Sequence, residues 1–179
     1  IVSYGTAGQG PQKFKVWTKD GMIREYGYTT NSRIEAQGKS DVLIWRLNKV
    51  TDRQGNYYTF TYGEINGNTE SYPTRIDYTG NASRGLATYA SVRFEYESRS
   101  DVSDNYLSGV RVKFSKRLKR VRAYYGNSLV RTYTMTYTQQ GSAYQSLLTQ
   151  IQECGTNGSC KEAIRFDWGS MNENGQFNI

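Results

Sequence analysis

The sequence contains no histidine, only two prolines and only two cysteines among its 179 residues. Without histidine the chain cannot form a His-based triad, and it lacks both the commonest general base and the ligand of most zinc sites. Cys154 and Cys160 are too few to build a structural zinc site by themselves. No apolar run approaches the roughly 20 residues of a membrane-spanning helix. We therefore expect no metal site and no membrane span.

The residues that are abundant favour strands and turns. The chain has 16 tyrosines and 18 glycines; Thr, Tyr and Val favour strands, and Gly and Asn favour tight turns. The hydrophobic fraction of 36% is low but suits a sheet packed on one face only. The length fits one domain or a closely packed pair, and residues 1–179 are interpreted as a single β-rich domain. Because Ile1 begins directly in strand-and-turn sequence, we expect no signal peptide here and a piece of a longer protein.

Two hairpins are predicted in the first third of the chain. Residues 13–26 contain Asp-Gly between apolar positions, which is the signal for a two-residue type I′ turn. Residues 43–62 contain the pentad Asp-Arg-Gln-Gly-Asn, followed by β-branched and aromatic residues, which indicates a turn that leads into a strand. One residue of its Gly-Asn pair is expected to adopt a positive φ. The residues assigned a purely structural role in these turns are Asp20, Gly21, Asp52, Gly55 and Asn56.

The rest of the chain also reads as strands. Residues 63–72 are predicted to be a polar loop, and Pro73 to start the next strand. Residues 90–97 alternate between apolar and charged positions, as a half-buried strand does. Residues 98–109 are predicted to be a polar loop with a short helical turn. We expect roughly nine to eleven strands and no helix of ten residues. Gly-Asn pairs recur at irregular spacing, so no strict repeat array is predicted.

Several motifs in order resemble a known family. The stretch D-x-x-G-N followed by x-Y-x-F-x-Y resembles the YD-repeat unit of Rhs-type proteins. The segments "TKDGMIREYG", "WRLNKVTDRQGNYYTFTY", "YPTRIDYTGN", "VRFEYESRSDVSDNYLSGVRVKFSKRLKRV" and "LTQIQECG…FDW" together resemble the SpvB-like N-terminal domain. The resemblance covers the chain from about Lys13 to Trp168. The family domain is longer at its N-terminus, so the chain is similar to the C-terminal part of that domain.

The resemblance implies an all-β fold with antiparallel hairpin or meander sheets, either sandwich-like or a curved segment of a larger β shell. It implies a non-enzymatic scaffold of a secreted Rhs/Tc-like toxin, located outside the cell or on the bacterial surface, that encloses an effector. The implied partners are neighbouring FG-GAP and Rhs/YD-repeat domains of the same polypeptide, and other toxin-complex subunits. No cofactor is implied. The alternative is a surface-binding module for carbohydrate or an acidic polymer.

Some acidic residues have spacings found in enzymes. Glu95-Tyr96-Glu97 has the E-x-E spacing of ADP-ribosyltransferases, but any charged strand face gives the same pattern. Paired carboxylates for a glycosidase could come from four aspartates, although such acids usually cap turns. "SDVSDN" lacks the Gly and the Glu of a full calcium loop. The structural interpretation is preferred for each, and no catalytic residue is assigned. The four aspartates are Asp52, Asp77, Asp101 and Asp104.

The least usual feature is a run of seven basic residues without an intervening acid, in a chain whose net charge is +7. The alternation within this run suits an edge strand protected by charge. Clustered Arg and Lys near aromatic residues could instead neutralise phosphates. We expect contact with an acidic partner, such as a neighbouring domain, and no specific nucleic acid. The run comprises Arg111, Lys113, Lys116, Arg117, Lys119, Arg120 and Arg122.

Two further expectations concern tyrosine and cysteine. Most tyrosines occupy alternating strand positions, where they are expected to pack across strands with their hydroxyl groups toward water. Cys154 and Cys160 flank a Gly- and Asn-rich reversal between two predicted strands. Antiparallel neighbours lie within disulfide reach, and an oxidising compartment preserves such a bond. A Cys154–Cys160 disulfide is therefore predicted, with two free thiols as the alternative if the chain is cytosolic.

Overall fold

The computed structural model describes residues 1–65, 70–140 and 145–169. It is 71% strand and 4% helix, which confirms the predicted all-β, antiparallel class. The two helical pieces are 3₁₀ turns at Thr30–Ser32 and Ala82–Arg84. None of the described helices is long and apolar enough to cross a membrane. The strands are β1 Val2–Ala7, β2 Gly10–Trp17, β3 Ile23–Tyr26, β4 Arg33–Glu35, β5 Val42–Trp45, β6 Leu47–Thr51, β7 Asn56–Ile65, β8 Glu70–Asn81, β9 Ala90–Leu107, β10 Val110–Tyr125, β11 Ser128–Gln140, β12 Gln145–Gly155 and β13 Ile164–Arg165.

Eleven of these strands form one antiparallel sheet in the order β1-β2-β3-β6-β7-β8-β9-β10-β11-β12-β13. Each strand therefore pairs with its neighbour in sequence, except that β4 and β5 leave the sheet and pair with each other. The end strands β1 and β13 do not pair, so the sheet stays open. This is the expected meander, with a small second sheet at one end.

A small core lies where the β4–β5 pair packs against the main sheet. Trp45 of β5 donates its indole N–H to the carbonyls of Pro11 and Gln12, both at 3.1 Å, and its ring meets Phe14 edge-on at 5.0 Å. Among the described residues, only four hydrophobic side chains are buried: Ile34, Val42, Val50 and Ala90.

The remainder of the sheet is thin. The accessible surface is 11309 Å², against about 8800 Å² for a compact monomer of this mass. Within the described part of the chain, no second layer lies over the strands from β8 to β12. Most of the domain is therefore one layer with two accessible faces.

These two faces differ in chemistry. Residues directly opposite each other in an antiparallel pair lie on the same face, so the register assigns each side chain. One face carries half-buried apolar side chains, and the other carries Thr, Ser and charged residues. The apolar face includes Phe60, Ile76, Val92, Phe94, Val121, Tyr133, Met135 and Ile151.

The predicted type I′ turn at Asp20-Gly21 is wrong. Such a turn requires a positive φ at both central residues, but only Gly21 has one, at 83°. The Gly21 N–H instead bonds to the Thr18 carbonyl at 2.9 Å, and the Asp20 carboxylate accepts from the Met22 N–H at 3.0 Å. The side chain of Asp20 thus stabilises a wider loop. The Asp-Gly pair alone does not distinguish this loop from a two-residue turn.

Two predicted loops are strands instead. Residues 98–107, predicted to be a loop with a helical turn, are the outer half of β9, which pairs with β10 up to Leu107–Val110. Ser108 and Gly109, with φ of 51° and 79°, close that hairpin. The loop predicted at residues 63–72 is also largely strand, because β8 begins at Glu70; residues 66–69 lie outside the described part. Both stretches are mostly polar, so neither shows the apolar alternation that predicts a half-buried strand.

Candidate functional site: a repeated junction between hairpins

A junction of the same design joins successive hairpins of the sheet. At each junction the two strands stop pairing, and a tyrosine hydroxyl on the later strand then donates a hydrogen bond to a backbone carbonyl of the earlier one. The bonds are Tyr62 Oη to Leu47 O at 2.7 Å, Tyr96 Oη to Pro73 O at 2.8 Å and Tyr137 Oη to Leu118 O at 2.6 Å. The hydroxyls therefore satisfy carbonyls that the ladder leaves unpaired.

The spacing is identical at all three junctions. The tyrosine lies three residues after the last paired residue of its own strand, and the acceptor lies two residues before the last paired residue of the other. The last pairs are Lys49–Thr59, Arg75–Arg93 and Arg120–Thr134. One local geometry thus recurs along the sheet.

The residue just before each acceptor covers the tyrosine ring. Arg46 lies over Tyr62 with 5.1 Å from its guanidinium to the ring centre, and Arg117 lies over Tyr137 at 4.5 Å. At the middle junction, Tyr72 replaces the arginine, and its ring centre is 4.8 Å from that of Tyr96. Cation–π and ring contacts of this kind add to the hydrogen bond.

A fourth junction follows the same spacing with tryptophan. The last pair between β12 and β13 is Gln150–Arg165, and Trp168 lies three residues further on. Its indole N–H donates to Leu148 O at 2.6 Å, two residues before Gln150. Indole and phenol can both donate across this distance, so the fourth junction keeps the bond with a different side chain.

The repeat is visible in the sequence once the strands are aligned. The acceptor strands contain "RLNKV", "YPTRI", "RLKRV" and "LLTQI", and the donor strands contain "YTFTY", "VRFEY", "YTMTY" and "IRFDW". The Gly-Asn turns do not reveal this pattern, because the repeat lies in the strands and the connecting loops vary in length. Spacing between turns was therefore the wrong signal.

The tyrosine hydroxyls of the junctions remain protonated donors. Burial raises the pKa of Tyr96 to about 12, and burial likewise raises the pKa of Tyr62 and of Tyr137. The expectation that tyrosine hydroxyls face water is wrong for these three residues. Each of them meets a carbonyl of the neighbouring strand instead.

The basic run lies inside the sheet. β10 pairs with β9 along most of its length and with β11 from Arg120 to Tyr125. It is therefore not an end strand of the sheet, and the edge-strand interpretation is wrong. Glu97 pairs with Arg117 at 2.8 Å and with Lys119 at 3.1 Å, and these two cations lower the pKa of its carboxyl. The alternation pattern did not reveal that the strand before β10 carries the matching acids.

The other glutamate of the E-x-E stretch is paired in the same way. Glu95 bonds to Arg120 at 3.4 Å and to Arg122 at 2.5 Å. Both carboxylates of the stretch therefore hold basic residues of β10. The three remaining members of the run lie further out: Arg111 pairs with Asp104, Lys113 lies opposite Asp104 in register, and Lys116 donates to Ser98 Oγ at 2.9 Å.

Two carboxylates hold the point where the β9–β10 hairpin becomes irregular. Between Phe114 and Lys116 the register shifts, and the buried Glu70 accepts there from the N–H and the hydroxyl of Ser115, the latter at 2.8 Å. On β9, Asp101 accepts from Ser146 N at 2.7 Å. These bonds tie the hairpin to β8 and to β12, and sequence reasoning did not find Glu70.

Asp101 also lines an open hollow of about 560 Å³ on the surface. Arg99 bonds to this carboxylate at 2.6 Å, and Arg99 with Ser146 holds the pKa of Asp101 well below its usual range. Its oxygens are therefore committed to structural bonds. The other candidate aspartates are held similarly: Asp52 by its own turn, Asp77 by Arg75 at 2.6 Å and Asp104 by Arg111.

The pentad turn docks onto a neighbouring turn. Gly55 has a φ of 83°, and its N–H bonds to Asp52 O at 3.1 Å. The Asp52 carboxylate accepts from Asn56 N at 2.8 Å. Asn81 Nδ2 donates to Asn56 Oδ1 at 2.7 Å, and Ala82 N donates to Gly55 O at 2.8 Å. The side chains of this turn therefore bond to protein atoms on both sides.

Cys154 and Cys160 are joined by a disulfide bond, with 4.0 Å between their Cα atoms. The Gly155 N–H bonds to Ser159 O at 2.8 Å and closes the reversal between them. The bond lies next to the junction formed by β12 and β13. The described residues contain no cluster of three or more His, Cys, Asp or Glu side chains that could hold a metal ion.

Solved structures with a similar fold come from toxins. The crystal structure of TcdB2-TccC3 superposes with a TM-score of 0.73 at 14% identity, covering 89% of this chain and 11% of that chain. The Photorhabdus luminescens Tc holotoxin pore with the mutation TccC3-D651A gives a TM-score of 0.73 at 13% identity, covering 89% and 10%. The chain thus spans about a tenth of these toxin chains, and at such identity the likeness shows the fold.

A third similar structure is the N-terminal domain of the effector protein SpvB from Salmonella typhimurium strain LT2. Its TM-score is 0.65 at 12% identity, and the match covers 87% of this chain and 61% of that one. No curated protein matches the sequence. The sequence model of the SpvB family, the Salmonella virulence plasmid 65kDa B protein, matches residues 4–93, which is half of the chain. The chain therefore belongs to the SpvB family.

Proposed function

We propose that this chain is a non-enzymatic structural domain of a secreted bacterial toxin of the Rhs/Tc kind, and that its sheet forms part of a shell around an effector. The observation that carries the proposal is the single-layer, eleven-stranded sheet, whose hairpins are joined by the same junction four times. The wall of a shell needs a large area and strong contacts within its plane. The eleven-stranded sheet provides the area, and the repeated junction bonds add contacts between its strands.

The chemistry of the side chains supports a structural role. The E-x-E glutamates and five of the seven basic residues form ion pairs within the sheet. The junction tyrosines donate to backbone carbonyls, which leaves those hydroxyls engaged and unavailable for a sugar. The similarity to toxin structures supports a toxin-associated domain. The carbohydrate-binding alternative has no comparable observation in its favour.

The proposed setting of the domain follows from this role. Its partners would be neighbouring FG-GAP and Rhs/YD-repeat domains of the same polypeptide and other subunits of a toxin complex, outside the cell or at the bacterial surface. The accessible apolar face would lie against such neighbours, because removing apolar surface from water is favourable.

The test is deletion of residues 1–169 from the longer polypeptide that carries this domain, followed by electron microscopy of the purified protein. We expect the closed shell to be lost. A complete shell without these residues would overturn the proposal. As a parallel measurement, the 179-residue chain applied to a glycan array should bind no sugar, and selective binding would favour the carbohydrate-binding alternative.

A further inference from the structure

The last described strand, β13, corresponds to the first strand of the hairpins that precede it. β13 and the residues after it correspond to the first strand of each hairpin, because "IRFDW" aligns with "VRFEY" of β9. In β9, Val92, Phe94 and Tyr96 are half-buried. Their counterparts Ile164, Phe166 and Trp168 have exposed fractions of 63%, 36% and 52%.

The difference in exposure follows from the number of neighbouring strands among the described residues. β7, β9 and β11 each have a strand on both sides, whereas β13 pairs only with β12 within residues 1–65, 70–140 and 145–169. Its outer edge therefore offers backbone N–H and C=O groups together with an apolar stripe. An open edge of this kind is a template for another strand.

The three complete hairpins define how such a strand should pair. In each of them the central residue of the first strand lies opposite a Val or Ile, and the residue after it lies opposite Arg or Gln. The second strand then skips one residue, so that the junction tyrosine lies opposite Leu or Pro. The central pairs are Phe60–Ile76, Phe94–Val121 and Met135–Ile151, and the pairs of the junction tyrosines are Tyr62–Pro73, Tyr96–Leu118 and Tyr137–Leu148.

We propose that the outer edge of β13 and the residues up to Trp168 bind a β-strand with the pattern Leu/Pro–x–Lys/Arg–Val/Ile, antiparallel and in the register shared by the three hairpins. The Val or Ile lies opposite Phe166, the basic residue lies opposite Asp167, and the Leu or Pro lies opposite Trp168.

Charge complementarity selects a basic residue in this strand. Asp167 occupies the position of Glu95, which pairs with Arg120 directly opposite it. In the part of the chain that the structure describes, Asp167 has no ion-pair partner. Residues 170–179 contain no Lys or Arg and do not carry the pattern. The open edge follows from the repeat and would exist whether or not the domain belongs to a shell.

The probe is a labelled peptide with the sequence of residues 116–124 from β10, which contains the pattern as Leu-Lys-Arg-Val. We expect it to bind the 179-residue chain, with fluorescence anisotropy as the readout, and to protect the backbone amides of residues 164–168 from hydrogen exchange. Asp167→Lys should weaken binding about tenfold, since a cross-strand attraction becomes a repulsion. Glu162→Lys changes the net charge equally outside the paired positions and should leave binding unchanged.

A charge swap makes the test specific for register. The peptide with Glu at the position of Arg120 should bind Asp167→Lys better than it binds the wild-type chain. The same strand fused after Gly169 through an Asn-Gly turn should raise the melting temperature, and Asp167→Lys should reduce that gain.

Several results would overturn the proposal. These are no binding up to about 1 mM peptide, equal binding to wild type and Asp167→Lys, and protection of β1 in place of residues 164–168. Binding that appears only after removal of residues 170–179 would show that those residues occupy the edge. A homodimer formed through β13 would show that the occupant is a second copy of the chain.

Discussion

The hydroxyl of Tyr96 donates a hydrogen bond of 2.8 Å to the backbone carbonyl of Pro73, across two strands whose pairing ends at Arg75 and Arg93. Tyr62 and Tyr137 make the equivalent bond at equivalent positions, and Trp168 makes it with indole in place of phenol. The strands separate beyond each ladder, yet the side-chain bond prevents them from parting fully. The sheet is therefore joined by backbone ladders and, beyond the end of four of these ladders, by one side-chain bond.

The first prediction concerns this bond. Tyr96→Phe keeps the ring against Tyr72 but removes the donor, leaving the Pro73 carbonyl without this partner. The free energy of unfolding should fall by about 1 kcal/mol, the usual net value of such a bond, measured by urea denaturation. Tyr133→Phe is the matched control, since the described residues offer its hydroxyl no hydrogen bond, and it should change stability by less than about 0.5 kcal/mol. Equal effects of both variants would contradict the junction's role.

The second prediction concerns the pentad turn. Gly55 has a positive φ, and an added Cβ would collide with Ser83 Oγ in the adjoining 3₁₀ turn. Gly55→Ala should lower the free energy of unfolding by roughly 3 kcal/mol, the upper end for a strained residue. Gly126 also has a positive φ but has open space around it. Gly126→Ala should therefore lower the free energy of unfolding by only about 1 kcal/mol. Similar losses in thermal unfolding would show that docking of the two turns is unimportant.

The third prediction is a pH dependence centred on Asp101. Hydrogen bonds from Arg99 and Ser146 lower the pKa of its carboxyl in the folded state, so folding favours the charged form. The stabilisation is complete above the ordinary aspartate pKa of about 3.9 and is lost as pH falls below it. The urea midpoint of the wild type should therefore fall more steeply below about pH 4 than that of Asp101→Asn. Parallel pH profiles for the two proteins would contradict this assignment.

The fourth prediction concerns the basic run. Because Glu95 and Glu97 pair with four of its residues, the wild-type chain should bind duplex DNA weakly, without sequence preference, and lose that binding as salt rises. The double variant Glu95→Gln, Glu97→Gln removes two negative charges and should bind about tenfold more tightly at low salt. Anisotropy titrations at two salt concentrations measure this. Sequence-selective, tight binding by the wild type at physiological salt would instead show a nucleic-acid site.

The sequence predicted the class of the fold because strand residues, alternation and turn residues agree along most of the chain. It failed where a strand is mostly polar: the outer half of β9 has only Val102, Tyr106 and Leu107 as large hydrophobic residues, divided between its two faces, so its sequence resembles a loop. It also placed the basic run on an edge, because strand order depends on pairing between distant residues such as Glu97 and Arg117, which alternation within one strand does not encode.

The junctions were missed for a different reason. The pattern needs alignment of strands separated by loops of unequal length, so neither a turn motif nor a fixed repeat period reveals it. Tyr62, Tyr96 and Tyr137 look like ordinary strand tyrosines until Leu47, Pro73 and Leu118 are placed beside them. The proposed binding edge of β13 can be recognised only after the strands are aligned, because Asp167 then takes the position of Glu95, which pairs with Arg120.

The measurement that tests the scaffold account most directly is limited proteolysis of the toxin polypeptide that we propose contains this domain. The variant Tyr62→Phe, Tyr96→Phe, Tyr137→Phe removes three junction bonds without touching any loop. If the sheet is a wall of a shell, the enclosed segment should be cleaved about tenfold faster or more than in the wild type, while the Tyr133→Phe control stays protected. If the triple variant has a measurably lower stability of the domain but its enclosed segment stays as protected as in the wild type, the account is contradicted.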